Sequence, residues 1–129
     1  MKSIIPTRIA EIVFGLIIAF FGINHFMHPE MLVGAVPDYM PGGGKIWVYI
    51  TGAALILAAL SIITGVMKMP GSYLLAIMLF IFIIMLHLRG IMNATDQGAK
   101  MMGLGNLLKD LGLAMAAIII GNNGRRKIA

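Results

Sequence analysis

Residues 22–44 read GINHFMHPEMLVGAVPDYMPGGG, and they mark the point at which the first apolar segment of the chain ends in polar residues. This stretch contains two of the three histidines and two of the five acidic residues of the protein. Its prolines and its closing glycines then turn the chain into a second apolar segment, which opens with Trp47 and Tyr49. Because most of the remaining chain is apolar, a functional site is expected to form around this edge.

The composition of the 129-residue chain indicates that lipid is part of its solvent. Hydrophobic residues make up 60% of the sequence and charged residues only 12%, with a mean hydropathy of +0.96. Soluble domains are closer to about half apolar and about a quarter charged. A chain of this size also cannot bury so much apolar surface in its own core.

The charged residues and the absence of cysteine exclude several other classes. The net charge is +5, but the basic residues form no stripe beside stacking aromatics, so nucleic acid is not predicted as a partner. The chain has no cysteine, which excludes disulfides and thiolate chemistry. No tight array of methionines accompanies the histidines, and we predict no metal site.

Four apolar segments are long enough to cross the roughly 30 Å hydrocarbon core of a bilayer as helices. They are predicted at residues 9–26, 46–67, 72–88 and 102–121. Residues 1–129 are therefore predicted to form one all-α integral membrane domain, a four-helix antiparallel bundle. A short interfacial helix is predicted from Pro29 to Val36, because proline suits the first helical position and Glu30 favours the positive end of a helix dipole.

The spacing of small and polar residues predicts the packing face of the first helix. Glu11, Gly15, Ile18, Gly22 and His25 are separated by four, three, four and three residues, so they share one helical face. Glycines on such a face let another backbone approach closely. Glu11 itself is predicted to pair with Arg8, three residues before it, at the membrane boundary.

The distribution of lysine and arginine predicts the orientation of the chain. Six basic residues fall on the side of the two termini, and at most four fall on the opposite side. The more basic side of a membrane protein normally faces the cytoplasm. Both termini are therefore predicted to be cytoplasmic, with residues 22–44 on the outer side.

Polar side chains from three predicted helices fall at one outer level. The first and third helices end there, and the fourth begins there. Ionisable groups at membrane depth are costly and usually face the interior of a bundle. We therefore predict a pocket at this level, next to Trp47 and Tyr49. Its candidate residues are Asn24, His25, Glu30, Trp47, Tyr49, His87, Asn106, Lys109 and Asp110.

The titratable members of this set also have a structural interpretation. Asp110 is expected to pair with Arg89 or Lys109 and to matter more to folding than any other acid, because a buried charge without its partner is costly. His25 and His87 are either proton carriers or histidines that bond to backbone carbonyls. The sequence leaves both interpretations open.

Short motifs along nearly the whole chain resemble the DoxX family of small four-helix bacterial membrane proteins. The matching pieces are Gly22-x-x-His25-Phe26, Pro29-Glu30, Pro37, Pro41, Trp47–Gly52 and Leu107–Leu111. Many members carry an acid shortly after the glycine of the second helix, where this chain has Ala53, Ala54 and Leu55. The resemblance implies a multi-pass protein of the bacterial inner membrane that depends on partner proteins and is linked to quinone redox chemistry.

Three functions are compatible with these observations. The first is a redox- or quinone-associated accessory subunit, rather than a stand-alone enzyme, whose outer-leaflet pocket receives a quinone headgroup or a similar polar-headed lipid. The second is a non-catalytic assembly or scaffold protein in which the same polar groups only lock the bundle. The third is a proton-coupled small-molecule transporter, because Glu11 resembles the helix-one acid of small multidrug transporters. Besides the lipid bilayer, the expected partners are other membrane proteins or further copies of the chain in a homo-oligomer.

Overall fold

The computed structural model of the protein describes residues 5–36 and 38–128, with the side chains of Ala35 and of residues 125–128 not described. Helices account for 86% of the chain, and no strand occurs among the described residues, so the all-α prediction is confirmed. The α-helices are α1 (Thr7–Met27), α2 (Pro29–Leu32), α3 (Gly44–Thr64), α4 (Lys68–Phe82), α5 (Leu88–Asn93) and α6 (Gln97–Ile128). A 3-10 turn (Val33–Ala35) follows α2, and a π-helical segment (Ile83–His87) joins α4 to α5 without a break.

The turn between α3 and α4 lies earlier than predicted. α3 ends at Thr64 because Gly65 adopts a left-handed conformation with a φ of +83°, which glycine takes at little cost. The next helix already begins at Lys68, inside the connection that the sequence places between residues 67 and 72. Pro70 therefore lies in the first turn of α4, where its missing N–H group is not needed.

The connection predicted at residues 89–101 is mostly helical. α5 continues to Asn93 and α6 begins at Gln97, so only residues 94–96 connect them. Asp96 explains the early start of α6, because its Oδ1 accepts a hydrogen bond from the backbone N–H of Ala99 at 2.6 Å. This contact satisfies one of the N–H groups that have no partner within the first helical turn.

The four long helices are α1, α3, the continuous helix α4–α5, and α6, and they pack in antiparallel order. α1 packs along α3, α4 packs along α6, and contacts between α3 and α4 join the two pairs. α1 and α6 approach each other much less closely. The core lies where the pairs meet, and Ile18, Ile62 and Leu75 are its largest fully buried apolar residues.

Four of the five residues of the packing face predicted for α1 are buried, namely Glu11, Gly15, Ile18 and Gly22, and the fifth, His25, is partly buried. Gly22 lies against Gly52 of α3. A methyl group at residue 52 would lie 3.1 Å from the carbonyl oxygen of Gly22 and 2.8 Å from Cβ of His25. The two backbones are thus too close for a side chain at residue 52, and this contact positions His25 relative to α3.

Replacing Gly52 by alanine is expected to destabilise the protein by about 1–3 kcal/mol, because the added methyl group must push α1 away from α3. Gly112→Ala is the matched control, since a methyl group at residue 112 would meet no atom within 4 Å. That control is expected to be neutral or stabilising by up to about 1 kcal/mol through helix propensity. Thermal unfolding of the two purified variants in detergent tests the contrast, and equal midpoints would contradict the close packing.

Four helices are long and apolar enough to cross a membrane: Thr7–Met27, Gly44–Thr64, Lys68–Asn93 and Gln97–Gly124. Only 17% to 28% of the residues in their most apolar stretches are buried inside the protein. A helix that is apolar on all sides needs a second apolar medium to cover the faces that the protein leaves open. These helices therefore have the character of a multi-pass membrane protein.

Candidate functional site

A cavity of about 550 Å³ lies between the helices, at the end of the molecule that carries the connection from α1 to α3. All four long helices contribute to its wall, which is mostly aliphatic and aromatic. Six of the predicted pocket residues line it, and they are Asn24, His25, Trp47, His87, Lys109 and Asp110. The fold therefore brings polar groups from distant parts of the chain to a single space, which we call the outer cavity.

His87 and Asp110 form the shortest polar contact described in the wall of the outer cavity. Nε2 of His87 lies 2.6 Å from Oδ2 of Asp110, which is only 6% exposed. Nζ of Lys109 lies 3.7 Å from the other carboxylate oxygen. Of the two partners expected for Asp110, Lys109 is present, whereas Arg89 points to the ring of Tyr39 instead. The contact with His87 was not predicted.

The π-helical segment Ile83–His87 explains how His87 reaches α6. A π-helix pairs each N–H group with the carbonyl five residues before it, so it shifts the register of the helix that follows. His87 is the last residue of this segment and lies opposite Asp110. Such segments occur frequently at functional sites. No glycine or proline marks this one in the sequence.

Phe21 lies on the α1 side of the cavity and contacts two of the polar residues in the wall, His25 and Lys109. Its carbonyl oxygen lies 2.7 Å from Nδ1 of His25. A carbonyl oxygen only accepts hydrogen bonds, so Nδ1 carries the hydrogen, and Nε2 of a neutral His25 is a hydrogen-bond acceptor. The ammonium group of Lys109 lies 5.0 Å from the centre of the Phe21 ring, within the range of a cation–π contact. An acceptor and a cationic donor thus lie around one aromatic residue.

The connection between α1 and α3 covers this end of the cavity. Three of its apolar residues line the wall, and they are Leu32, Val36 and Met40. The connection is held in place by the indole N–H of Trp47, which donates to the carbonyl oxygen of Pro41 at 2.7 Å. The guanidinium group of Arg89 also lies 5.9 Å from the ring centre of Tyr39. Contacts from α3 and α5 therefore hold the cover against the bundle.

Three of the predicted pocket residues do not line the outer cavity. The side chain of Glu30 is 71% exposed and lies 3.9 Å from His28. Tyr49 stacks on Phe26 with ring centres 5.6 Å apart, and Asn106 lies on an exposed face of α6. All three were placed in the pocket by their depth along the helices, and depth does not determine the direction in which a side chain points.

A second polar centre, which we call the inner cluster, surrounds Glu11 near the opposite end of the helices. The pairing with Arg8 predicted from the spacing is present at 3.1 Å. Nζ of Lys68 lies 2.9 and 3.1 Å from the two carboxylate oxygens of Glu11, and the side-chain amide of Asn123 donates to one of them at 2.9 Å. Arg8 also donates to carbonyl groups at the end of α3. Glu11 thus has three side-chain partners at 2% exposure.

Lys68 and Asn123 are the members of the inner cluster that the sequence did not reveal. They lie 57 and 112 residues away from Glu11 along the chain. From the sequence alone, Lys68 is equally compatible with an exposed lysine in a loop at the membrane boundary. The only signal in the sequence is that Glu11 is the single acid at an end that carries six basic residues, so several cations compete for it.

The described part of the chain contains no group of three or more His, Asp or Glu side chains that could hold a metal ion. His87 and Asp110 pair with each other, and Glu11 is paired with cations and an amide. Both centres therefore present hydrogen-bonding and charge-pairing groups.

The fold and the outer cavity define a class of protein. It is an all-helical chain whose four long helices are apolar enough to cross a membrane and enclose a cavity with a small polar wall. The chain belongs to the family described as a domain of unknown function, DUF8561, whose model matches residues 14–121. This range contains all six polar residues of the outer cavity named above, whereas Glu11 and Asn123 lie outside it. No curated protein and no solved structure matches the chain.

Proposed function

We propose that the protein is a DoxX-like multi-pass membrane protein whose outer cavity binds a polar-headed amphiphile, with a quinone as the leading candidate. It would then serve as a redox-associated accessory subunit and not as an enzyme by itself. The observation that carries this proposal is the cavity of about 550 Å³, which has apolar walls and one polar group of residues. A mostly apolar pocket of this volume with a few polar groups is typical of small-molecule binding sites.

The polar groups suit both redox forms of a quinone headgroup. The carbonyl oxygens of the oxidised form need donors, and the ammonium group of Lys109 is one. The hydroxyl groups of the reduced form need acceptors, and Nε2 of neutral His25 is one. The His87–Asp110 pair adds an imidazole that is hydrogen-bonded to a carboxylate in the same wall. The apolar wall would hold the ring and the first part of the tail.

The inner cluster argues against the transporter alternative. A proton-coupled transporter needs a carboxylate that is free to alternate between a proton and a substrate. Glu11 instead contacts Lys68 through both oxygens, as well as Arg8 and Asn123. The scaffold alternative remains distinct, because it requires no saturable ligand in the outer cavity.

Titration with a short-chain quinone tests the proposal. Trp47 is the single tryptophan and lines the cavity, so its fluorescence reports occupancy. We expect saturable quenching in the wild type and at least about tenfold weaker binding in His25→Ala and His87→Ala, equivalent to about 1.4 kcal/mol for each lost contact. His28→Ala is the matched control, because His28 is exposed and does not line the cavity. Quenching that never saturates and is identical in all four proteins would leave only the scaffold function.

The orientation with cytoplasmic termini in a bacterial inner membrane is part of the same proposal. The natural chain has no cysteine, so single cysteines can report each side without background. Val66 and Thr95 are both exposed and lie in connections at opposite ends of the helices. An impermeant thiol reagent applied to intact cells is expected to label Thr95→Cys and to spare Val66→Cys. The reverse pattern would invert the orientation.

A further inference from the structure

A groove of about 490 Å³ lies between α3 and α4, on the side of the helix pair that faces its surroundings, and we call it the lateral groove. Leu57 and Leu74 form part of its wall and are 67% and 66% exposed. Ala54 of α3 and Met78 of α4 line this groove and also line the outer cavity. The two spaces therefore adjoin at these two residues.

The lateral groove ends at the turn between α3 and α4, where the two helices pack closely. Gly71 lies against Ser61 there, and a methyl group at residue 71 would be 2.8 Å from Cβ of Ser61. Ala54 and Met78 are each ten residues from the end of their helix at this turn, a distance of about 15 Å at 1.5 Å per residue. The groove thus runs along the helix pair from the turn to the outer cavity.

The outer cavity opens sideways between the same two helices. Ile50 of α3 and Ile81 of α4 both line the cavity, yet they are 50% and 47% exposed. They lie 14 residues before Thr64 and 13 residues after Lys68, the two ends of the turn, and are therefore at nearly the same depth. A side chain that lines a cavity and is also half-exposed lies at its opening. The cavity is therefore accessible from the apolar surroundings of the helices.

The surface of the lateral groove suits an apolar chain. The described residues that line it include no charged side chain. The hydroxyl of Ser61 is shared between the carbonyl oxygens of Val66 and Met67 at 2.7 and 2.8 Å, and the hydroxyl of Thr64 donates to the carbonyl oxygen of Leu60 at 2.7 Å. A hydroxyl has a single hydrogen to donate, so neither residue has one left for a ligand. A polar headgroup would find no donor in this groove.

We propose that the ligand of the outer cavity is a long-tailed amphiphile whose apolar tail passes Ala54 and Met78 and lies in the lateral groove. This inference rests on the proposed function, because the headgroup is the one assigned to the outer cavity. The groove extends the site by about 15 Å, roughly half of the 30 Å hydrocarbon core. A second copy of the chain would cover the groove but leave the adjoining cavity empty, so the shape favours one ligand that fills both.

Photochemical crosslinking to the purified full chain tests the path of the tail. The probe is a quinone with a diazirine at the far end of a saturated tail long enough to span the groove, about 15 Å. After irradiation, peptide mass spectrometry should place the label on the α3 and α4 residues of the groove, near Leu57 and Leu74. An excess of short-chain quinone without the diazirine should abolish this labelling, because it takes the headgroup site.

The outcomes separate this inference from the proposed function. A label on α1 or α6 that the short-chain quinone displaces would overturn the path of the tail and leave the headgroup site in place. A label in the groove that the short-chain quinone does not displace would show that the groove binds apolar chains on its own, which would also overturn the inference. If neither competition nor saturable quenching of Trp47 is seen, the proposed function fails together with the inference.

Ala58→Phe fills the lateral groove without touching the outer cavity, because Ala58 lines only the groove. We expect it to bind the long-tailed quinone at least about fourfold more weakly, which corresponds to about one CH₂ group removed from apolar contact at 0.8 kcal/mol. Binding of the short-chain quinone should be unchanged. Ala53→Phe is the matched control on the same helix, since Ala53 is exposed and lines neither space.

A second variant avoids the risk that Ala58→Phe, at a buried position, fails to fold. L57A/L74A truncates two exposed side chains of the groove wall and should also weaken binding of the long-tailed quinone alone. L16A/L108A is its control, because both leucines are exposed and lie outside the groove and the cavity. Unchanged binding of the long-tailed quinone in L57A/L74A would overturn the inference. So would a loss of dimers in that variant with unaltered labelling, which would assign the groove to a second copy of the chain.

Discussion

Glu11→Gln is expected to lower the free energy of unfolding by about 3–5 kcal/mol, the largest effect of any acidic replacement in this chain. Glu11 is 2% exposed, and its carboxylate joins α1 to the start of α4 and to α6 through Lys68 and Asn123. The glutamine side chain keeps the size but loses the charge. Lys68, which is 5% exposed, would then be a buried cation without an acid to balance it.

A companion variant distinguishes loss of the charge pair from general damage. Lys68→Met in the Glu11→Gln background removes the stranded cation, and it should restore part of the lost stability, because a matched apolar replacement of a buried pair is often tolerated. Glu30→Gln is the control, since that side chain is 71% exposed and should contribute less than about 1 kcal/mol. Unfolding in detergent followed by helical circular dichroism measures all of these. A Glu11→Gln variant as stable as Glu30→Gln would show that the inner cluster does not stabilise the fold.

Asp110→Asn is expected to have the second-largest effect, a loss of about 1.5–3 kcal/mol, which is the usual contribution of a hydrogen bond to a charged group. Asparagine keeps an oxygen that can accept from His87, so only the charged component of the 2.6 Å contact is lost. Lys109 is half-exposed and can turn to solvent or to lipid headgroups, so it is not stranded as Lys68 would be. From the structure we therefore expect folding to depend more on Glu11 than on Asp110, whereas the sequence predicted Asp110 as the most important acid.

The Asp110 variant also separates folding from ligand binding. Since Asp110 lies in the wall of the outer cavity and Glu11 does not, Asp110→Asn should weaken quinone quenching of Trp47, whereas Glu11→Gln at a temperature where it is folded should not. Asp38→Asn is the control for both readouts, because that residue is exposed and outside the wall. A stability loss in Asp110→Asn without any change in quenching would assign this pair to structure alone.

The sequence by itself determined the features that depend on near neighbours along the chain. Composition and the length of the apolar runs predicted four long helices, and a spacing of three and four residues identified the buried face of α1 from Glu11 to Gly22. The ion pair between Arg8 and Glu11 followed from the same periodicity, since its partners are one helical turn apart. The sequence also placed His25, His87 and Asp110 at one depth, because depth is a count of residues along a helix.

Only the tertiary structure decided which of these residues meet and what lies between them. The contacts of Glu11 with Lys68 and Asn123 and of His87 with Asp110 join residues on different helices, so they depend on how each helix is rotated and how closely it packs. The same rotation directs Tyr49 and Asn106 away from the outer cavity. The outer cavity and the lateral groove between α3 and α4 are spaces that the four long helices leave unfilled where they pack against one another. No local pattern encodes such a space, because it is a property of the distances between helices and not of any one of them.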